Sequence, residues 1–331
     1  MKATQIIKSL EVASKADRPV MLWGGPGVGK SSVAKQFARK TDRKYIGMIA
    51  TLIDPIDLRW STKVVDGKLV FSPPEFFPDE ENCVLNIDDI VTAPPLVQAS
   101  LYEVVLDKVM GGVPLPKGTV IIATGNREND RAAVNRMPTP LANRFIHLDF
   151  EFDNKDWELW ALENNIAIEV IAFNRFRPAL INQFNPVSVE KAQSTPRTWE
   201  FVSDIVLQKP DTSILYDLIK GTVGEASAIE FYSFLEDWEL LPNPKEILND
   251  PLKAIIPEKP SVLFALGAAL AKMVDESTID NFMVYANSLK ENGLTDHAIA
   301  MISDATSRND KLKETFGYTT WITNNGQVYA S

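Results

Sequence analysis

The chain has 331 residues, 45% of them hydrophobic and 24% charged, which leaves room for two or three domains and a sizeable core. Its formal net charge of −10, from 44 acids against 34 bases, argues against broad binding to a phosphate backbone as the main task. A single cysteine excludes an internal disulfide and suits the cytosol, and with only two histidines it cannot build a zinc-type cluster. The longest apolar run, Val262 to Ala271, is too short to span a bilayer, so no membrane association is expected.

In chain order, "MKATQIIKSLEVASKADRP" reads as an amphipathic helix rather than a signal segment. Val20 to Trp23 reads as a short buried strand. Gly24-Gly25-Pro26-Gly27-Val28-Gly29-Lys30-Ser31 then satisfies G-x-x-x-x-G-K-[ST], with a helix starting at "SSVAKQFARK". The chemistry needs each part. Glycines let backbone N–H groups turn inward with no Cβ in the way. Those groups and the helix N-terminus favour a polyphosphate. Lys30 supplies a point charge at the β- and γ-phosphates, and Ser31 offers a hydroxyl to Mg²⁺. Residues 25–32 (Gly25, Pro26, Gly27, Val28, Gly29, Lys30, Ser31 and Ser32) are therefore the expected contacts to a nucleotide.

"TKVVDGKLVF", residues 62–71, alternates around Asp66-Gly67 and predicts a hairpin. The aromatic "FSPPEFFP" after it would dock it to the core. "CVLNIDDI" is the next strand, ending at Asp88. Alternation puts Asp88 and Asp89 on opposite sides of the pleat. Asp88 is the expected metal residue, with Ser31. Asp89 would lean toward the γ-phosphate and polarise the attacking water; a helix N-cap or a solvated loop acid is the other reading. Asn86, on the Asp88 side, reads as a satisfied core residue. Residues 107–119 contain a second hairpin, and "TVIIAT" is a parallel-sheet strand that ends near Asn126, whose amide would hold a water or a phosphate oxygen. Arg144 follows a Pro-rich loop and precedes the strand "FIHLDF".

From Asp153 the pattern turns helical, with Trp157 and Trp160 as a core stripe. Arg197 follows Thr195-Pro196, a helix start that would present it to a ligand. "SVLFALGAALAKMV" is a core helix. The tail "GYTTWITNNGQVYAS", with Asn325-Gly326 between alternating residues, reads as a terminal hairpin.

Taken together, "GGPGVGKS", "LNIDDIVTAPPLVQASLYEVVLDK", "TVIIATGN", "PTPLANRF" and "STPRTWEFVSDI" resemble the AAA+ ATPases, and within them the MoxR-type group, over roughly residues 1–225. The resemblance implies an α/β fold: a P-loop AAA+ αβα core with a parallel five-stranded sheet over 1–150, carrying hairpin inserts near 62–71 and 107–119. A helical lid over 151–224 and a mostly helical C-terminal extension over 225–331 follow. It implies sensor 1 at Asn126, an arginine finger at Arg144 with Arg136 and Arg131 as rivals, and sensor 2 at Arg197. It also implies ATP and Mg²⁺, a homo-oligomeric and usually hexameric ring, and partners such as von Willebrand factor A-domain proteins. Nucleic acid is not an expected partner. One position departs from the pattern: the family usually has glutamate where Asp89 stands. The loss of about 1.5 Å of reach predicts slow turnover, since a misplacement of ~1 Å costs ~10²-fold. The expected function is ATP-driven remodelling or chaperoning of proteins. The alternatives are a DNA-acting motor or loader, and a nucleotide-gated structural subunit with very slow hydrolysis.

Overall fold

The computed structural model describes residues 1–130, 135–239 and 241–329. The chain packs as two compact units, Met1–Asp153 with Phe184–Val189, and Asn154–Gln183 with Glu190–Ser331.

The first unit opens with α1 (Ala3–Lys15), which buries Ile6, Ile7, Leu10 and Ala13 as its amphipathic spacing predicts. Then come β1 (Val20–Trp23), α2 (Lys30–Lys40), β2 (Lys44–Ile49), β3 (Ser61–Val65), β4 (Lys68–Ser72) and β5 (Cys83–Asp88). They are followed by α3 (Pro95–Ser100), α4 (Tyr102–Leu106), β6 (Val109–Met110), β7 (Val113–Pro114), β8 (Val120–Gly125), α5 (Thr139–Ala142) and β9 (Ile146–Asp149). Five strands form one sheet in the order β2-β5-β8-β1-β9, and every pairing is parallel. This is the expected five-stranded core.

Both faces of the sheet are covered, as a parallel sheet requires. Val20, Leu22, Val84, Val120 and Ile122 pack with Ile6, Leu10, Val33 and Phe37 of α1 and α2. The alternate positions Met21, Leu85, Ile87, Ile121 and Ala123 pack with Val97, Leu101, Val104 and Val105 on the opposite face. Strand alternation thus sorts each residue to a layer. Both expected hairpins are present, β3 against β4 and β6 against β7. Phe76 and Phe77 pack against the core after the first of them, with Phe77 edge-on to Trp60 at 5.3 Å.

The second unit is helical: α6 (Asn154–Glu163), α7 (Ile168–Phe176), α8 (Pro196–Leu207), α9 (Thr212–Val223), α10 (Glu225–Glu239), α11 (Pro244–Asn249), α12 (Pro260–Met273), α13 (Ile279–Glu291), α14 (Thr295–Arg308) and α15 (Phe316–Tyr329). Its core includes Leu263, Leu266 and Leu270 of α12, so the longest apolar run is a buried helix. Trp157 of α6 is buried as expected, whereas Trp160, its ring 6.4 Å away, is only half-buried.

The terminal hairpin is not formed: residues 316–329 are a helix. The apolar positions Tyr318, Trp321 and Ile322 pack onto the unit's core, and Asn325, also buried, gives its Nδ2 to the Trp321 carbonyl at 2.8 Å. Spacings of three, four and seven make one helical face. That burial outweighs the Asn-Gly turn preference. Among the described residues, no helix is long and apolar enough to cross a membrane.

Candidate functional site

β1 ends at Trp23, and the chain turns through residues 24–29 before α2 begins at Lys30. Gly27 and Gly29 hold φ of 72° and 101°, a region closed to most residues with a Cβ. Gly29 is the N-cap of α2, so the helix begins at the loop's mouth and presents its N-terminal amides there. The Lys30 side chain is 92% buried, being only 8% exposed. Its ammonium donates to the carbonyls of Gly24 at 2.8 Å and Gly25 at 2.9 Å, and to Asn126 Oδ1 at 2.8 Å. Burying a cation is costly unless it is paired and hydrogen-bonded. Here these acceptors hold the charge in place beside the loop.

Asn126 lies just past β8, and Asp88 ends β5. Since β5, β8 and β1 are neighbours in the sheet, their carboxyl ends bring the loop, Asp88 and Asn126 to one edge, where open α/β sheets place ligands. The Ser31 hydroxyl donates to Asp88 Oδ1 at 2.9 Å and Oδ2 at 2.7 Å. The Thr124 hydroxyl also donates to Asp88 Oδ1. Asp89 begins the departure from the sheet: its φ is +53°, its N–H donates to Thr124 Oγ1 at 3.3 Å, and the following N–H of Ile90 reaches the Thr124 carbonyl at 3.1 Å. Asp88 is therefore oriented by hydroxyls, whereas Asp89 is set by a left-handed backbone that aspartate tolerates better than most residues.

The other expected residues stand as follows. Arg144, just past α5, donates from Nη1 to the Pro140 carbonyl at 3.0 Å and lies over the Tyr102 ring at 5.4 Å. Arg136 is exposed, and Arg131 lies outside the described residues. Arg197 is exposed and belongs to the helical unit. It follows the Thr195 cap of α8, where Thr195 accepts from the Thr198 N–H at 3.3 Å and Thr198 Oγ1 accepts from the Thr195 N–H at 2.8 Å.

Sequence reasoning missed three groups. Thr124 stands two residues before Asn126 in "TVIIATGN", on the Asp88 face by alternation, which is the signal that would have found it. Trp23 Nε1 donates to His147 Nδ1 at 2.9 Å, and His147 Nε2 donates to the Ala142 carbonyl at 2.8 Å. That histidine ties the strand before the phosphate loop to the segment before Arg144. Asn86 is not fully satisfied: its Nδ2 donates to the Tyr45 hydroxyl at 3.0 Å, while its buried Oδ1 has no partner. Burial first, then the Asp88 carboxylate, pushes the Tyr45 hydroxyl up to about 12, so it stays protonated.

A parallel sheet with a phosphate loop after its first strand, and an acid at the end of β5, the next strand but one, beyond β8, defines a P-loop nucleotide-binding protein. More narrowly, residues 19–145 match the family model described as the AAA domain of the dynein-related subfamily, so the chain carries an AAA domain. No curated protein matches the chain. Among solved structures, it is similar to the Thermotoga maritima RuvB Holliday junction branch migration motor (18% identity, 88% of this chain and 87% of that one, TM-score 0.39). It is also similar to a putative ATPase from Cytophaga hutchinsonii (17%, 86% and 75%, TM-score 0.38), and to NtrX from Brucella abortus in complex with ADP (15%, 98% and 68%, TM-score 0.42).

Proposed function

We propose that the chain binds ATP at the Lys30 loop and hydrolyses it, as a MoxR-type AAA+ ATPase that works in a ring and couples hydrolysis to remodelling of partner proteins. The observation that carries this is the convergence on one sheet edge of the buried Lys30 ammonium, its acceptor Asn126, and the Ser31–Asp88–Thr124 hydroxyl–carboxylate cluster. The loop amides and Lys30 would bind the phosphates. Ser31 and Asp88 are oxygen donors of the kind Mg²⁺ takes. They would hold that ion, which when bound neutralises phosphate charge.

In the hydrolytic step a water oxygen bonds to the γ-phosphorus, the bond to the β–γ bridging oxygen breaks, and a water proton moves toward Asp89. Asn126 would hold the water or a γ-phosphate oxygen in place. Arg144 is the proposed finger toward a neighbouring subunit's ATP, and Arg197 the proposed sensor of the helical unit. The hairpins β3–β4 and β6–β7 would meet the client or the next subunit. The motif order of the MoxR group supports the ring and a von Willebrand factor A-domain partner as part of this proposal.

Calorimetry with Mg·ATP tests the base of this reading. Wild type is expected to bind, and Lys30→Ala to lose binding; wild-type affinity in that variant would refute the phosphate assignment. One observation favours the second reading, a nucleotide-gated subunit with very slow turnover: the shorter acid at Asp89 stands on a left-handed backbone. Single-turnover measurement with excess protein separates the two, since a gated subunit would convert bound ATP to ADP far more slowly than a working ATPase.

A further inference from the structure

Tyr45 and Asn86 take no part in the function proposed above, although they share a face with it. β2 and β5 are in register, with Tyr45 opposite Val84, Gly47 opposite Asn86 and Ile49 opposite Asp88. Paired residues of a parallel sheet project to the same side. Tyr45, Asn86 and Asp88 therefore face α2, whose Lys35 ammonium lies 5.5 Å from the Tyr45 ring centre.

Asn86 is fully buried. Its amide nitrogen gives a hydrogen bond to the Tyr45 hydroxyl oxygen at 3.0 Å, and its amide oxygen is buried with no protein partner. Buried polar atoms are rarely left so, and an orphan in an otherwise well-packed site points to a missing water or ion. The hydroxyl of Tyr45 accepts from Asn86, which leaves its own O–H available as a donor. The phenol reaches this position because residue 47 is glycine: a Cβ there would stand 3.2 Å from the ring and 3.4 Å from the hydroxyl oxygen.

A phenolic donor and an orphaned amide acceptor beside a carboxylate form the pattern that one water molecule completes. Mg²⁺ dehydrates reluctantly and keeps several waters, and groups that orient a metal's ligands from outside tune its affinity. We propose that Tyr45 and Asn86 hold an ordered water beside Asp88 that takes a hydrogen bond from the hydration shell of the magnesium ion, making the pair positioning residues for the metal. The water accepts from the Tyr45 O–H and donates to Asn86 Oδ1 and to the Asp88 carboxylate. This rests on the assignment of Ser31 and Asp88 as metal residues and extends it to two residues of β2 and β5 outside that set.

The test uses Mn²⁺ as the probe, titrated by electron paramagnetic resonance into the full chain saturated with the β,γ-imido analogue of ATP. Tyr45→Phe removes one O–H and keeps the ring. It is expected to weaken Mn²⁺ roughly tenfold, with binding of the analogue in EDTA unchanged. Gly47→Ala keeps every polar atom but displaces the ring, and is expected to shift Mn²⁺ affinity in the same direction. It also serves should Tyr45→Phe lose its thermal transition. Mn²⁺ affinity within twofold of wild type in the folded variants overturns the proposal while leaving the nucleotide site intact. A wild-type chain that binds no analogue at all overturns the functional reading instead.

Discussion

Asp89 and Asp88 are adjacent but are set by different forces. Asp88 receives the Ser31 and Thr124 hydroxyls, whereas Asp89 takes its direction from a backbone at φ +53°. Replacing Asp89 by asparagine keeps shape and the left-handed preference but removes the proposed proton acceptor. Turnover is expected to fall by ~10²–10⁴-fold with ATP affinity unchanged, measured by phosphate release and calorimetry; equal turnover would move the base elsewhere. Asp89→Glu restores the missing methylene, yet glutamate tolerates the left-handed region poorly. Turnover is expected to fall here too, and a rise would show that the shorter acid is a handicap. The placement of Asp88, Asp89, Lys30 and Asn126 at one end of the sheet was legible, because loop and strand-end motifs fix where such residues fall. Thr124, Tyr45 and His147 were not, because a hydroxyl or ring acquires its partner only when strands align.

At the scale of elements, α14 shows what holds the helical unit together. Asp304 is fully buried and pairs with Arg175 of α7, which also meets Glu158 of α6. Burial works against the guanidinium's charge, but the Asp304 and Glu158 carboxylates outweigh it and raise its pKa. Removing one member of such a pair leaves a buried charge uncompensated. Asp304→Ala is expected to cost about 3–5 kcal/mol, read as a lowered denaturant midpoint. Two turns earlier, His297 packs on Phe264 of α12 at 4.4 Å, and its Nε2 is buried without a partner. Burial lowers its pKa below the ordinary 6.5, against the pull of Asp296. The unfolded chain therefore takes up the proton first. Its contribution is complete above pH 6.5 and declines as pH falls from there toward the lower folded value. Thermal melting at pH 7.5 and pH 5 is expected to show this loss, and His297→Gln to reduce it. None of this was visible in sequence, since Arg175 and Asp304 are 129 residues apart. The terminal helix was misread for a related reason: Asn-Gly is a local cue, and burial of Trp321 is not.

For the whole molecule, the proposed ring makes a prediction that no single chain can satisfy. Arg144→Ala is expected to keep ATP binding and lose ~10³-fold or more in turnover. Mixing it with Asp89→Asn is expected to restore part of the rate, because an intact finger would then face an intact base. No recovery in the mixture would argue against a site shared between subunits. Mass measurement with and without ATP is expected to show a multimer when nucleotide is present.

Local pattern alone determined the glycine loop, the acid at the strand end and the buried central strands β1, β5 and β8, because glycine placement, an apolar run and a following carboxylate are short-range statements about backbone and solvent. It was the tertiary structure that decided which hydroxyls meet Asp88, that Asn126 accepts from Lys30, that a glycine makes room for the Tyr45 ring, and that the last residues coil rather than pair. Each of these depends on register between strands or on burial between helices distant in sequence, and such contacts exist only after the chain has closed on itself.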